Sequence, residues 1–487
     1  SGRDEEGRRI LVAEAVSGDA SDEIHTALGA LALGRGETDE AVRCWRRAVE
    51  ADRGFFAHRL GLARALRIRS EGRSEKGGDA EADLDEADRI LAAGLALDSG
   101  RAGMWTELAL VDWSWARARS AAGRDAADAL SNALAAADRA LALAPQDLEA
   151  ANVRGAVFLE LGKLQEAIEA FGGVLAADPG HFQAHNNRAL ARLRAGDALQ
   201  AAGGDPREEY LAAIRGFEEA IALRPRFTWA HGNLGWTWKR MGNHEHLLGL
   251  DPNGSYDNAS RSLSTALDLS PRSAGIWNNL AAVHLSTGDY RMEKGGDAAA
   301  SFREALDALD QSLAANPGYY LALGNKGYAW MRLGEVDLGA GGDPEEEFGR
   351  AIRSFEASLA ANPAHEEGRR LLDGLRVERG LSRLRAGRPA EAIAELDAAL
   401  ESIGRFGELD DPDFRAFRGE IHLALARAHA RLAAAAGAEA KRERDLAFES
   451  LARALADGAV DSARARRDPD LAALSSDPRW EAALGGR

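Results

Sequence analysis

Residues 182–227 read FQAHNNRALARLRAGDALQAAGGDPREEYLAAIRGFEEAIALRPRF, and the same pattern returns from residues 228, 274 and 320. Pro225, Pro271, Pro317 and Pro363 close successive copies at a spacing of 46 residues. Gly196, Gly242, Gly288 and Gly334 keep that register, as do Asn187, Asn233, Asn279 and Asn325, and Asp205, Asp251, Asp297 and Asp343. Four independent markers at one period identify tandem repeats. A period of 20–50 residues signals an architecture in which each copy buries its apolar face on its neighbours.

Each copy also carries its own punctuation. Gly203, Gly249, Gly295 and Gly341 stand two residues before those aspartates, and Gly77 and Gly123 precede Asp79 and Asp125 in the same way. Glycine there ends a helix in the left-handed conformation. Aspartate then caps the next helix, with Pro206, Pro252 or Pro344 at its first position. Five residues past each aspartate comes an apolar or aromatic residue: Leu84, Leu130, Tyr210, Tyr256, Phe302 or Phe348. The mid-copy stretch is therefore expected to be extra helical turns rather than a loop. Helix A of each copy should reach about 20 residues, or about 30 Å.

Working outward, residues 148–181 form a shorter copy of 34 residues, and 22–55 another; 56–101 and 102–147 have 46. With 182–227, 228–273, 274–319 and 320–365 these make eight repeats over 22–365. Residues 1–21 are expected to be an N-terminal helix (Asp4 to Val16) or partial repeat, 366–457 two divergent repeats, and 458–487 capping helices beginning at Asp468-Pro469 and Asp477-Pro478.

The 34-residue copy resembles the tetratricopeptide repeat (TPR). Gly155, Phe158, Gly162, Ala167, Phe171 and Pro179 fall where that family has Gly, a large aromatic, Gly, Ala, an aromatic and Pro. The resemblance implies an all-α TPR solenoid, a right-handed superhelix of about ten helix-turn-helix repeats, with helices A lining the concave face. It places Trp105 and Trp277 at the family's large core position in helix A, and Ala167, Ala220 and Ala266 where helices cross.

Composition narrows the function classes. The formal charge of −17 argues against nucleic acid, whose binding needs a surplus of Lys and Arg. The single cysteine, Cys44, excludes an internal disulfide framework and fits a cytoplasmic location. No apolar run approaches 18 residues, so no membrane insertion is expected.

The candidate site is a groove. Asn187, Asn233, Asn279 and Asn325 occupy the sixth position of helix A, which faces the groove in the TPR family. An amide both donates and accepts, so it can pair with a peptide backbone of any sequence. The TPR region of O-GlcNAc transferases is similar in holding an extended polypeptide on an asparagine ladder; asparagine at that position also serves packing in other TPRs. Elsewhere the ladder position holds Ala27, Gly61, Glu107 and Val153. Trp229, Asn233, Trp236 and Arg240 lie on one helical stripe, echoed by Leu321, Asn325, Tyr328 and Arg332, and by Gln183, Asn187, Leu190 and Arg194. Aromatic, Arg and amide groups together suit a binding hot spot, while Trp236 packed on an adjacent helix is the plainer alternative.

Two segments look metal-like, His244-Glu245-His246 and Asp251-x-Asn253-x-Ser255-x-Asp257. The second lacks the later glutamate of a calcium loop, and no metal or cofactor is expected. No catalytic constellation emerges, so the reading is non-enzymatic: a scaffold binding a protein or peptide segment in its groove. The Asp468-Pro469-Asp470-Leu471 to Asp477-Pro478-Arg479-Trp480 ending resembles the tails of TPR regions in large bacterial Ser/Thr protein kinases. That resemblance implies a regulatory or recruiting part. Alternatives are a self-assembling structural repeat protein and the substrate-selecting region of a glycosyltransferase.

Two outcomes follow. Ala220→Leu should overpack a helix crossing and cost about 1–3 kcal/mol, read as a lowered melting temperature. Asn233→Ala combined with Asn279→Ala should weaken partner binding while the chain stays folded.

Overall fold

The computed structural model describes residues 22–74, 81–406, 412–435 and 440–485. The helix expected over Asp4 to Val16, and the Gly77 and Asp79 punctuation, lie outside these. Among the described residues there are 22 α-helices, one short 3-10 turn and no strand. The fold is all-α, built from consecutive A–B helix hairpins. The chain divides into two compact units, Ser1–Thr237 and Trp238–Arg487.

The 34-residue repeat pairs Leu148–Glu160 with Leu164–Ala177, helices of 13 and 14 residues. The next repeat pairs Phe182–Ala201 with Arg207–Leu223, of 20 and 17. Of the twelve extra residues, seven thus lengthen helix A, three lengthen helix B, and two widen the turn. The same long pairs recur as Ala274–Glu293 with Ala298–Ala315 and Tyr320–Gly339 with Glu345–Ala361.

The turns show why. Gly203, Gly249, Gly295 and Gly341 have φ between 71° and 82°, open only to glycine at low cost. At Gly203 the next amide, Gly204 N, donates to Leu199 O at 2.8 Å, and Gly203 N donates to Gln200 O at 3.0 Å. This paired closure satisfies carbonyls left over at the helix end. The aspartates act slightly differently from expectation. Asp297 is an N-cap, accepting from Ala300 N at 3.4 Å. Asp205, Asp251 and Asp343 sit one residue earlier, because the following proline takes the N-cap place. Each still accepts a backbone N–H from two residues on, at 3.1, 3.0 and 3.2 Å.

Across each of the four long hairpins from residue 182 to 361, glycine faces an aromatic ring. A Cβ at Gly196, Gly242, Gly288 or Gly334 would come within 2.6 Å of Tyr210, Tyr256, Phe302 or Phe348 respectively. All four rings are fully buried or nearly so. The short repeat makes the contact once, with Gly155 against Phe171; the 320–365 repeat makes it twice, adding Gly327 against Phe355. The inserted turns therefore carry their own core. Ala167, Ala220 and Ala266 are fully buried, as expected for helix crossings.

After residue 365, helix A runs Glu366–Arg385. Asp373 then stands eight residues into helix A, where the other repeats carry Gly or Ala, such as Gly155, Ala189, Ala281 and Gly327. It is buried, and one carboxylate oxygen accepts from Ser402 Oγ at 2.9 Å while the other has no hydrogen bond. At the C-terminus, Leu471, Leu474, Trp480 and Leu484 pack on Leu423, Phe448 and Leu451. Asp468 and Asp470 pair with Arg427 and Arg431, each at 2.7 Å. The segments beginning at Asp468 and Asp477 form a 3-10 turn and a single helical turn rather than longer helices.

Burial pushes the Asp373 carboxyl up from 3.8 to about 6. An acid whose folded pKa is raised destabilises the fold once ionised, so stability should rise as pH falls from 6 towards 3.8. Asp373→Asn should raise the melting temperature at pH 7 and leave it nearly unchanged at pH 4, checked by thermal unfolding at both.

Candidate functional site

Helix A of each repeat begins with a tie to the loop before it. At its fourth position, Trp105 Nε1 donates to Ser99 O at 2.9 Å and Trp277 Nε1 to Pro271 O at 2.8 Å. His185 and His231 place Nε2 2.9 Å from Pro179 O and Pro225 O. A carbonyl only accepts, so both histidines carry a proton on Nε2. Trp105 and Trp277 are thus half-buried clamps at the helix start that also pack against the core, at the large core position the resemblance implied.

The tie orients helix A and sets its sixth position. In the first unit, Asn233 Nδ2 donates to Asn186 Oδ1 in the preceding repeat at 3.3 Å. Asn186 is buried, and its own Nδ2 donates to Asn187 Oδ1 at 3.1 Å. In the second unit, Asn325 Nδ2 donates to the buried Asn278 Oδ1 at 2.9 Å. Glu107, at the same position, reaches back similarly: its carboxylate takes Arg64 and Arg67 at 3.2 and 2.7 Å and is almost fully buried. The ladder position is in part a helix-to-helix tie. Asn233→Ala therefore removes a structural bond, and the double variant with Asn279 is expected to lose stability as well as binding.

In the first unit, Trp229 is 63% exposed at the start of its helix. Trp236 is half-buried on the same stripe. Arg194 does not stand free: its Nη1 donates to Leu159 O at 2.9 Å, capping the end of the shorter neighbouring helix A, with Glu160 3.9 Å away.

In the second unit a cavity of about 210 Å³ is lined by helices A of four successive repeats: Lys239, then Leu285 and Asp289, then Leu321, Asn325 and Tyr328, then Leu371. Asn325 and Tyr328 thus share one concavity. Arg240, at the second unit's edge, is half-buried. Tyr328 Oη donates to Asp289 Oδ2 at 3.0 Å, and Arg332 pairs with Asp289 at 2.9 Å and with Glu335 at 2.5 Å. Burial pushes the Asp289 carboxyl up, and the Arg332 guanidinium and Tyr328 hydroxyl pull it back. Burial, then the Asp289 charge, push the Tyr328 hydroxyl well above its ordinary value. The phenol therefore stays a donor, with its ring presented to the cavity.

Asp289 and His365 were not apparent from the repeat pattern. His365, another lining residue, is fixed by Ser358 Oγ at 2.9 Å and by an edge contact with Tyr320. The metal-like segments resolve otherwise. His246 Nε2 lies 2.6 Å from Glu293, and Asp251 holds Asn253. Among the described residues no group of three or more His, Cys, Asp or Glu is placed to hold a metal ion. Nor is any helix among them long and apolar enough to cross a membrane.

A tetratricopeptide repeat family model matches residues 115–180, 157–204, 252–291 and 297–341. Similar solved structures include TTC0263, a thermophilic TPR protein of Thermus thermophilus: 24% identity, 42% of this chain, 92% of that one, TM-score 0.32. A tetratricopeptide repeat protein of Parabacteroides merdae is 16% identical over 64% of this chain and 98% of that one, TM-score 0.38. Human IFIT1, solved as a dimer with PPP-AAAA, is 15% identical over 91% and 92%, TM-score 0.44. No curated protein matches the sequence.

Tyr328→Phe keeps the ring and deletes the bond to Asp289. It should cost about 0.5–1.5 kcal/mol of stability in chemical denaturation, with helical content unchanged by circular dichroism.

Proposed function

We propose that the chain is a tetratricopeptide-repeat protein and a non-enzymatic interaction scaffold whose helix-A groove binds an extended segment of a partner protein. The cavity at Asn325 and Tyr328 carries this reading. It is concave, combines an aromatic ring with amide and charged groups, and draws its walls from successive helices A rather than from one hairpin. Specific pockets share that mix of apolar wall and few placed polar groups. Trp229 supplies an exposed aromatic anchor in the first unit, with Trp236, Arg194 and Arg240 on the same sequence stripes. Aromatic anchors carry much of the energy at such surfaces. The kinase-like tail supports a recruiting role for the scaffold, in the cytoplasm.

One observation favours a second reading, self-association. Leu247, Leu248 and Leu250 are 73%, 51% and 50% exposed at the tip of one inserted hairpin. Three exposed leucines this close together suit a contact between copies.

Selection of a displayed random 16-residue peptide library on the whole chain tests the first reading. Selected peptides should bind with an affinity that Trp229→Ala or Leu321→Ala weakens about tenfold or more, at unchanged melting temperature. Failure to select any peptide, or binding indifferent to both variants, removes the groove reading. Light scattering across a concentration series tests the second: a single-chain mass throughout removes self-association.

A further inference from the structure

The four asparagines of the ladder are not equivalent. At the position before each stands Asn186, Gly232, Asn278 and Gly324 in turn. Asn-Asn and Gly-Asn pairs alternate along the array. The bonds follow the alternation: Asn233, from a Gly-Asn copy, donates to Asn186 of the Asn-Asn copy before it. Asn325 does the same to Asn278, 92 residues further on, in the other unit. One arrangement built twice is a property of the repeat, not an accident of one site.

In the first unit the chain of bonds has a direction. Asn233 Nδ2 donates to Asn186 Oδ1, and Asn186 Nδ2 donates to Asn187 Oδ1. Every link runs donor to acceptor toward Asn187, whose Nδ2 makes no hydrogen bond among the described residues. Aligned amides polarise one another, so the terminal N–H group is a stronger donor than an isolated asparagine. Asn187 is half-buried, so it is held in place yet reachable.

We propose that the ladder divides into two roles, a division that rests on the groove reading above. Asn187, and Asn279 beside Asn278 in the second unit, are the reading rungs. Each offers its amide N–H groups to the main-chain carbonyl oxygens of an extended segment bound in its own unit. Asn233 and Asn325 are positioning residues that tie one helix A to the next, and Asn233 also polarises Asn187 through Asn186. Carbonyl oxygens recur in every peptide, so this recognition is independent of sequence, and side-chain preference comes from the Trp229 and Tyr328 surfaces.

The test uses a 16-residue peptide selected from the displayed library on the whole chain. Asn187→Asp combined with Asn279→Asp keeps shape and acceptors but removes the donors. It should raise Kd about tenfold or more, the worth of one or two such bonds, with the melting temperature unchanged. Asn233→Ala combined with Asn325→Ala should lower the melting temperature by a few degrees and change Kd about threefold or less, measured well below the transition. Asn187→Ser with Asn279→Ser, which retains a donor, should recover part of the lost affinity. If the Asp pair binds as tightly as the unaltered chain, or the Ala pair loses as much binding at unchanged melting temperature, the division is wrong. A peptide sensitive to Trp229→Ala or Leu321→Ala but to none of the asparagines overturns it too, while leaving the groove reading intact. Failure of the Trp229, Leu321 and asparagine variants alike to alter binding would fall on the groove reading instead.

Discussion

The long hairpins depend on the contact between a bare glycine backbone and the face of an aromatic ring. A glycine inside a helix costs about 1 kcal/mol relative to alanine, yet Gly196, Gly242, Gly288 and Gly334 all sit mid-helix. The ring opposite each leaves no room for even a methyl group. Close approach brings the two helices together, lets Tyr210, Tyr256, Phe302 and Phe348 bury almost completely, and turns twelve inserted residues into core. In the Glu366–Arg385 helix the equivalent glycine, Gly380, meets Leu396 instead of a ring. Nearer the start of that helix, Asp373 stands where Gly155 and Gly327 meet Phe171 and Phe355; it pairs with Ser402 and leaves a carboxylate oxygen unpaired.

Much of the fold was legible because its punctuation is local. Gly203 and Asp205 declare a helix end and a helix start within three residues, and Pro225 closes the copy. What joins one helix to another was less legible. That an aromatic follows each aspartate by five could be read, but that its ring presses on a glycine in helix A could not. Trp105 and Trp277 were assigned to the core by resemblance, and their indole N–H groups also clamp a loop carbonyl. The signal available was the recurrence of Trp or His, each with a ring N–H, at the fourth position of helix A.

The groove divides the same way. Equal position in equal repeats put Asn325 and Tyr328 on one surface, and they do line one cavity. Their partners come from neighbouring repeats: Asp289 from the helix before and His365 from just ahead of the helix after. A stripe read along one helix cannot show which charge stands across from it. Arg332, read as a groove cation, is held by two carboxylates, so its guanidinium is neutralised rather than a free positive charge. Glu345 similarly gathers Arg379, Arg383 and Arg388 at the next hairpin, and those guanidinium groups hold its carboxyl down to about 2.

The alternation of Asn-Asn with Gly-Asn copies also bears on how such an array can change length. Each Gly-Asn copy needs an amide acceptor in the copy before it, and only an Asn-Asn copy supplies one. Removing the 274–319 copy would set two Gly-Asn copies side by side and leave the half-buried Asn325 amide without its acceptor. Removing or inserting two together leaves every bond with a partner. The unit that contains one complete donor and acceptor pair is therefore 92 residues, twice the period that the helices themselves repeat.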